Sequence, residues 1–187
     1  MLTYTVFAGV NGVGKTSIYK SIYYNENKNE KRINTDEMVA KIGSWKDNNL
    51  QIKCAREAVK LIKKYIKEGI SFNQETTLAG KSIIKNIKLA KENGFYIVMN
   101  YIGVDNSEIA KERVKIRVKN GGHGISDKDI ERRYYDSLHN LKEVINICDE
   151  LNIFDNTKRF REVAYFKNGI LKWKDSNIPV WLIDILY

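Results

Sequence analysis

The sequence predicts an α/β fold: three layers, with a mostly parallel central sheet between helices and a β-hairpin near the C-terminal end. Three observations predict it. Strand-like and helix-like segments alternate along the chain, as a parallel sheet with crossover helices requires. A glycine-rich stretch joins the first strand-like run to the first helical one. Asn168-Gly169 separates two β-rich runs, which is a strong hairpin signal.

In chain order, Leu2 to Ala8 is a continuous β-rich run ending at a glycine, and Lys15 to Tyr23 reads as a helix. Thr35 or Asp36 is placed to cap a short helix through Ile42. Ile52, Ala55, Val59, Ile62 and Ile66 recur at helical spacing, and Gly69 stops that helix. Ile70 to Asn73 is a short strand, and Gly80 to Asn93 a helix ending at Gly94. Phe95 to Ile102 is the most hydrophobic strand, so it is expected at the buried centre of the sheet. Asp105 to Lys119 is a basic helix broken by Asn120-Gly121-Gly122, Asp127 to Cys148 is another helix, and Leu151 to Phe154 is a strand. Val163 to Phe166 and Ile170 to Trp173 form the hairpin, and Pro179 opens a final short helix. Trp173 and Trp181 in this tail (161–187) read as core.

Composition narrows the class. A chain of 187 residues fits one domain, here 1–187, and 43% hydrophobic with 29% charged residues permits a packed core. No apolar run approaches the ~20 residues that cross a bilayer. The segment from Met1 to Val6 lacks the basic region and cleavage site of a signal peptide. Cys54 and Cys148 cannot build a disulfide framework. A cytoplasmic chain with no membrane association is expected. The net charge of +9 points to polyanionic partners, nucleotides or nucleic acids. Outside residues 111–133 the lysines read as a solvated surface.

Residues 9–16, Gly9-Val10-Asn11-Gly12-Val13-Gly14-Lys15-Thr16, match G-x-x-x-x-G-K-[ST] at every fixed position. Glycines let the backbone wrap closely and turn successive N–H groups inward to make an anion nest. Lys15 supplies a point charge for β- and γ-phosphates, Thr16 a hydroxyl for Mg²⁺, and the next helix its N-terminal dipole. Asn11, Gly12, Val13, Gly14, Lys15, Thr16 and Ser17 are thus assigned to ATP, with Thr16 as the metal ligand. The fold expected is that of a P-loop NTPase or kinase.

What becomes of the phosphate depends on the rest of the chain. A GTPase needs N-K-x-D to select its base. The only Asn-Lys pair, Asn27-Lys28, continues Asn29-Glu30 and comes too soon after the loop. A motor or transport ATPase needs a hydrophobic strand ending in an acid, and Val98-Met99-Asn100-Tyr101 has none. A short P-loop kinase with an arginine-rich lid fits better. Residues 111–133 hold Lys111, Arg113, Lys115, Arg117, Lys119, Lys128, Arg132 and Arg133, with the flexible turn Asn120-Gly121-Gly122-His123-Gly124 between two helices. Guanidinium groups brought over a γ-phosphate would neutralise charge that develops in the transition state.

In these motifs the chain resembles the zeta toxin family of P-loop kinases, particularly short bacterial members. The resemblance rests on Phe7 to Thr16, Ile33-Asn34-Thr35-Asp36-Glu37, Phe72-Asn73-Gln74-Glu75-Thr76-Thr77-Leu78, and Arg117 to Ile125 continuing through Arg132-Arg133-Tyr134 and Ser137 to Leu141. It implies transfer of a phosphoryl group from ATP with Mg²⁺ to a small-molecule hydroxyl. Better-known, larger members use UDP-N-acetylglucosamine and are held inactive by a small antitoxin. It implies that Asp36, 21 residues after Lys15, accepts the hydroxyl proton. An ordinary Asp pKa of ~4 suits it more to orienting the hydroxyl than to removing its proton. It implies that Glu75, with Thr76 beside it, binds substrate or a metal-bound water. Arg117 and Arg133 are the lid arginines, with Arg113 and Arg132 as second choices. His123 is placed at the substrate or ATP side of the turn, and His139 is structural. A nucleoside or polynucleotide kinase, and a non-catalytic nucleotide-dependent switch, stand as the alternatives, with nucleic acid the less favoured partner.

Overall fold

The computed structural model describes residues 1–25 and 30–187, with Ile22 described by its backbone alone; Asn27-Lys28 lies outside the described residues. Five parallel strands form the body of the sheet: β1 (Thr3–Ala8), β2 (Lys31–Ile33), β3 (Phe72–Thr76), β4 (Tyr96–Gly103) and β5 (Glu150–Asp155). The hairpin β6 (Arg161–Lys167) and β7 (Ile170–Lys174) extends it antiparallel, giving the order β2-β3-β1-β4-β5-β6-β7. The hydrophobic strand β4 stands fourth of the seven, at the centre, as its composition requires.

The helices are α1 (Lys15–Ile18), α2 (Thr35–Ile42), α3 (Asn48–Glu68), α4 (Lys81–Glu92), α5 (Ser107–Lys119), α6 (Asp127–Val144) and α7 (Val180–Leu186). α1 continues as a π-helical turn, Tyr19–Tyr23, which packs Tyr19 and Tyr23 edge-on against Phe7. The main core joins Tyr4 and Val6 of β1 to Ile62 and Ile66 of α3 and Ile84 and Ile87 of α4. A second cluster joins Val10 and Val13 of the glycine-rich loop to Ala110 and Val114 of α5 and Ile130 and Tyr134 of α6. This contact fixes the roots of the two basic helices to the phosphate loop.

Several expectations shift. Neither Thr35 nor Asp36 caps α2. Asn34 does, with extended backbone and a side-chain oxygen that accepts from the N–H groups of Asp36 (3.0 Å) and Glu37 (3.3 Å). β3 lies at Phe72–Thr76, beyond the expected Ile70–Asn73, because its polar end gains a ladder with β1. α6 stops at Val144, short of Cys148, and the chain turns so that the Asp149 carboxylate accepts the Ile97 N–H at 2.8 Å. Trp181 is core, but Trp173, on the edge strand β7, is 47% exposed.

Candidate active site

The carboxyl ends of β1, β2 and β3 converge, at the place where open α/β sheets hold ligands. The loop leaving β1 carries positive φ at Gly9 (133°), Gly12 (85°) and Gly14 (99°). Gly9 admits no other residue, since a Cβ there would lie 2.2 Å from the Ile102 carbonyl oxygen of β4. From beyond β5, Asn156 Nδ2 donates to the Val13 carbonyl at 2.8 Å and braces the loop from outside.

Lys15 is buried, and its ammonium donates to the Val10 carbonyl at 3.0 Å. Burial lowers its pKa from the ordinary 10.5, with Glu75 and then Asp36 opposing and Arg117 and Arg133 reinforcing. These groups therefore share one electrostatic environment. Thr16 Oγ1 donates to Glu75, 2.8 Å from Oε1 and 3.0 Å from Oε2. Glu75 Oε2 also accepts from Arg32 Nη2 (2.8 Å) and Asn34 Nδ2 (2.9 Å). Arg32 is held in turn by Glu37 and lies 3.5 Å over the Tyr19 ring. Glu75 is thus fixed beside the Thr16 hydroxyl, and hard oxygens so grouped suit Mg²⁺ with its waters.

The capping by Asn34 leaves the Asp36 carboxylate out of the helix start. It lines a cavity of about 160 Å³ together with Asn11, Lys15, Glu75, Thr76 and Arg133. Arg133 Nη1 donates to Asn11 Oδ1 at 3.2 Å, which brings α6 onto the phosphate loop. Arg117 Nε and Nη2 and His123 Nδ1 are buried with no hydrogen-bond partner. Such groups carry a desolvation cost that an anion accepting from them would relieve. With the glycine nest and Lys15, the residues present fit a triphosphate.

The four arginines separate by geometry. Arg113 donates to the carbonyls of Asn156 (2.8 Å) and Thr157 (3.1 Å), and so supports the loop that braces the P-loop. Arg132 is exposed and paired with Asp129 and Asp136. Arg117 and Arg133 remain as the two brought beside Lys15. His123 Nε2 lies 3.8 Å from Asp36 Oδ1. Burial holds the His123 pKa below 6.5, opposed by Asp36 and reinforced by Arg117 and Arg133, so the ring is neutral at neutral pH. His139 stands on the surface, 3.5 Å from Glu143.

Sequence reasoning missed Trp45. It lies in the turn between α2 and α3, its carbonyl accepts from Gln51, and its ring centroid is 5.4 Å from that of His123. A Cβ on Gly124 would come within 2.7 Å of the Trp45 ring, so the lid turn lies flat against the indole. No periodicity marks a lone Trp in a loop. Arg32 and Asn34 were also missed as site residues, although Asn34-Thr35-Asp36-Glu37 carries the spacing of a capping box.

A second cavity, of about 410 Å³, adjoins the first and shares Thr35, Gln74, Thr76, Thr77 and Arg133 with it. It lies between α3 and the start of α4. Among the described residues no cluster of three metal-ligating side chains occurs, and no helix is long and apolar enough to cross a membrane.

The zeta toxin family profile matches residues 3–175. An uncharacterized protein of Haemophilus influenzae is 38% identical over 128 residues, covering 68% of this chain and 89% of that protein. The fold is similar to a structure of the PezAT chromosomal toxin-antitoxin system of Streptococcus pneumoniae, with TM-score 0.64 and 18% identity over 86% of this chain and 69% of that one. It is also similar to AvrRxo1-ORF1:-ORF2 with ATP (TM-score 0.68, 15% identity, 92% of this chain and 60% of that one). A putative kinase from Chloroflexus aurantiacus is a further neighbour (TM-score 0.52, 13% identity, 73% and 78%). The P-loop, the acid after β2, the arginines of the α5–α6 lid and a match over nearly the whole chain lead to one assignment: this chain belongs to the zeta toxin family and has its P-loop kinase-type fold.

Proposed function

We propose that the chain is an ATP- and Mg²⁺-dependent kinase that transfers the γ-phosphoryl group to a hydroxyl of a small molecule. The observation that supports this best is that one small cavity is lined by Lys15, Asp36 and Arg133 and opens onto a second cavity large enough for an acceptor. The nest of residues 11–17 and Lys15 hold the β- and γ-phosphates. Thr16, with Glu75 behind it, holds Mg²⁺, which when bound neutralises charge on the β- and γ-oxygens. Asp36 accepts a hydrogen bond from the acceptor hydroxyl and aligns its oxygen with the γ-phosphorus. The new O–P bond forms as the bond to the β-phosphate oxygen breaks, and the hydroxyl proton passes to Asp36. Arg117 and Arg133 stabilise charge on the transferring group, and Glu75, Thr76 and His123 border the acceptor. Family kinship supports UDP-N-acetylglucosamine as the first acceptor to test and an antitoxin protein as partner.

Mass spectrometry of enzyme, ATP, Mg²⁺ and UDP-N-acetylglucosamine should show a product one phosphate heavier. An inert result, with another acceptor phosphorylated by the same preparation, discards the sugar nucleotide and retains the kinase. No product with any acceptor, but steady ATP binding, favours a nucleotide-dependent switch.

Asp36→Asn keeps the shape and loses the basicity. Turnover should fall about 10²-fold, the low end for general-base catalysis, because a loose transition state asks little of the base. Calorimetry should show ATP affinity retained. Unchanged turnover would remove Asp36 from the reaction.

Trp45→Ala should lower turnover roughly 10- to 100-fold by loosening the lid over Arg117, with a smaller effect on ATP affinity. Trp45→Phe should restore most of the rate. Equal losses in both variants would remove the packing role.

A further inference from the structure

We propose that the 410 Å³ cavity is the seat of an uncharged, hydroxyl-bearing ring of sugar size, and that the paired carboxamides of Asn86 and Gln74 select it. This rests on the kinase reading and concerns what the acceptor is. The volume lies at the low end of the roughly 300–1,000 Å³ of small-molecule sites, enough for one ring with its substituents.

The walls define the chemistry. Ala55, Val59 and Ile62 of α3 give one aliphatic face, and Thr76, Thr77 and Ser82 give neutral hydroxyls opposite. A sugar ring has the matching character, with C–H groups on its faces and hydroxyls at its rim. Asn86 is 7% exposed, lines the cavity, and makes no hydrogen bond with any described residue. A carboxamide buried to that extent normally has partners, because leaving it unpaired is costly. It offers both a donor and an acceptor to a ligand. Gln74 is committed differently. The Tyr4 hydroxyl donates to its Oε1, and burial raises the Tyr4 pKa, which keeps that hydroxyl protonated. The Gln74 amide orientation is thereby set, and its NH₂ is left as a pair of donors. Gln74 borders both cavities, so it stands where the acceptor meets the phosphate.

The lining also disfavours charge. Among the described residues it holds no carboxylate, so an ammonium group would find no counter-ion. Of its two cations, Arg132 is already paired with Asp129 and Asp136, and Arg133 stands at the phosphate side. It holds no aromatic ring either, the usual platform for a nucleobase.

The test uses N-acetylglucosamine, glucosamine and uridine as probes, each titrated calorimetrically into the full chain with a non-hydrolysable ATP analogue and Mg²⁺. N-acetylglucosamine should bind, and glucosamine, cationic at neutral pH, and uridine should bind at least tenfold more weakly. Asn86→Ala should weaken N-acetylglucosamine roughly tenfold, the loss of one or two neutral hydrogen bonds, with no comparable change for the ATP analogue. Asn86→Ser, smaller but polar, should recover part of it and guards against a folding defect. Equal binding of all three probes, no binding of any, or an N-acetylglucosamine affinity indifferent to both substitutions would overturn the assignment. Because binding is read directly, absence of phosphorylated product would count against the kinase reading alone.

Discussion

Lys15→Ala is expected to lower phosphoryl transfer by about 10³-fold, at the upper end of what removal of one preorganised electrostatic donor costs. The fold should survive, because Lys15 contributes to stability mainly as a burden. Its ammonium is buried, and its one hydrogen bond is to the Val10 carbonyl. The isosteric Lys15→Met should be as stable as the parent chain or more so. A pH series sharpens the test. Burial holds the folded pKa of Lys15 below its unfolded 10.5, so the folded chain releases that proton at lower pH than the unfolded chain. In the window between the two values the unfolded state binds more protons, and stability rises with pH. Lys15→Met should lack that slope. Turnover at the parent rate in Lys15→Ala would end the phosphate-loop assignment.

Arg117→Ala should cost about 10³-fold in kcat, as the loss of a transition-state arginine does in phosphoryl transfer, with ATP affinity reduced much less. The ground-state structure supports the split. Nε and Nη2 of Arg117 are buried without partners, so the residue is unsatisfied until charge develops near it. Removing it should leave the melting temperature unchanged or higher. The neighbouring arginines serve as internal comparisons. Arg113→Ala loses two hydrogen bonds from a charged group to the carbonyls of Asn156 and Thr157 and should destabilise the chain by roughly 1.5–3 kcal/mol. Arg132→Ala removes surface ion pairs with Asp129 and Asp136, worth ~0–1 kcal/mol, and should be close to the parent in stability. If all three variants lose activity equally and through KM alone, the lid is a diffuse basic surface.

The parts of this molecule that were legible in the sequence are those fixed by local chemistry. The phosphate loop was legible because its glycines and lysine have few substitutes. The hairpin at Asn168-Gly169 was legible because Asn168 and Gly169 both adopt positive φ, 51° and 74°. The central place of β4 came from its unbroken apolarity. The hidden parts depend on partners distant in the chain. Arg113 and Arg117 are one helical turn apart and alike in sequence, yet one meets two carbonyls beyond β5 and the other meets none. Asn86 sits in an unremarkable amphipathic helix, and only the approach of α3 makes it a wall of a cavity. The C-terminal half of β3 reads as polar loop because its side chains serve the site, while its backbone is satisfied by β1.

The family match ends at residue 175, but the architecture depends on residues beyond that point. In α7 the Trp181 indole lies so close over the end of β4 that a Cβ on Gly103 would stand 2.4 Å from it, and its N–H donates to Asp155 at the end of β5. The central strand therefore borrows its cover from a segment outside the shared profile. Substitutions at 103 and 181 should accordingly be coupled. Any replacement of Gly103 needs a smaller residue at 181, and relatives with a different tail are free to carry a side chain where this protein has none. Recombining the shared core of one family member with the tail of another would have to respect that pairing, even though profile similarity alone places the junction before it.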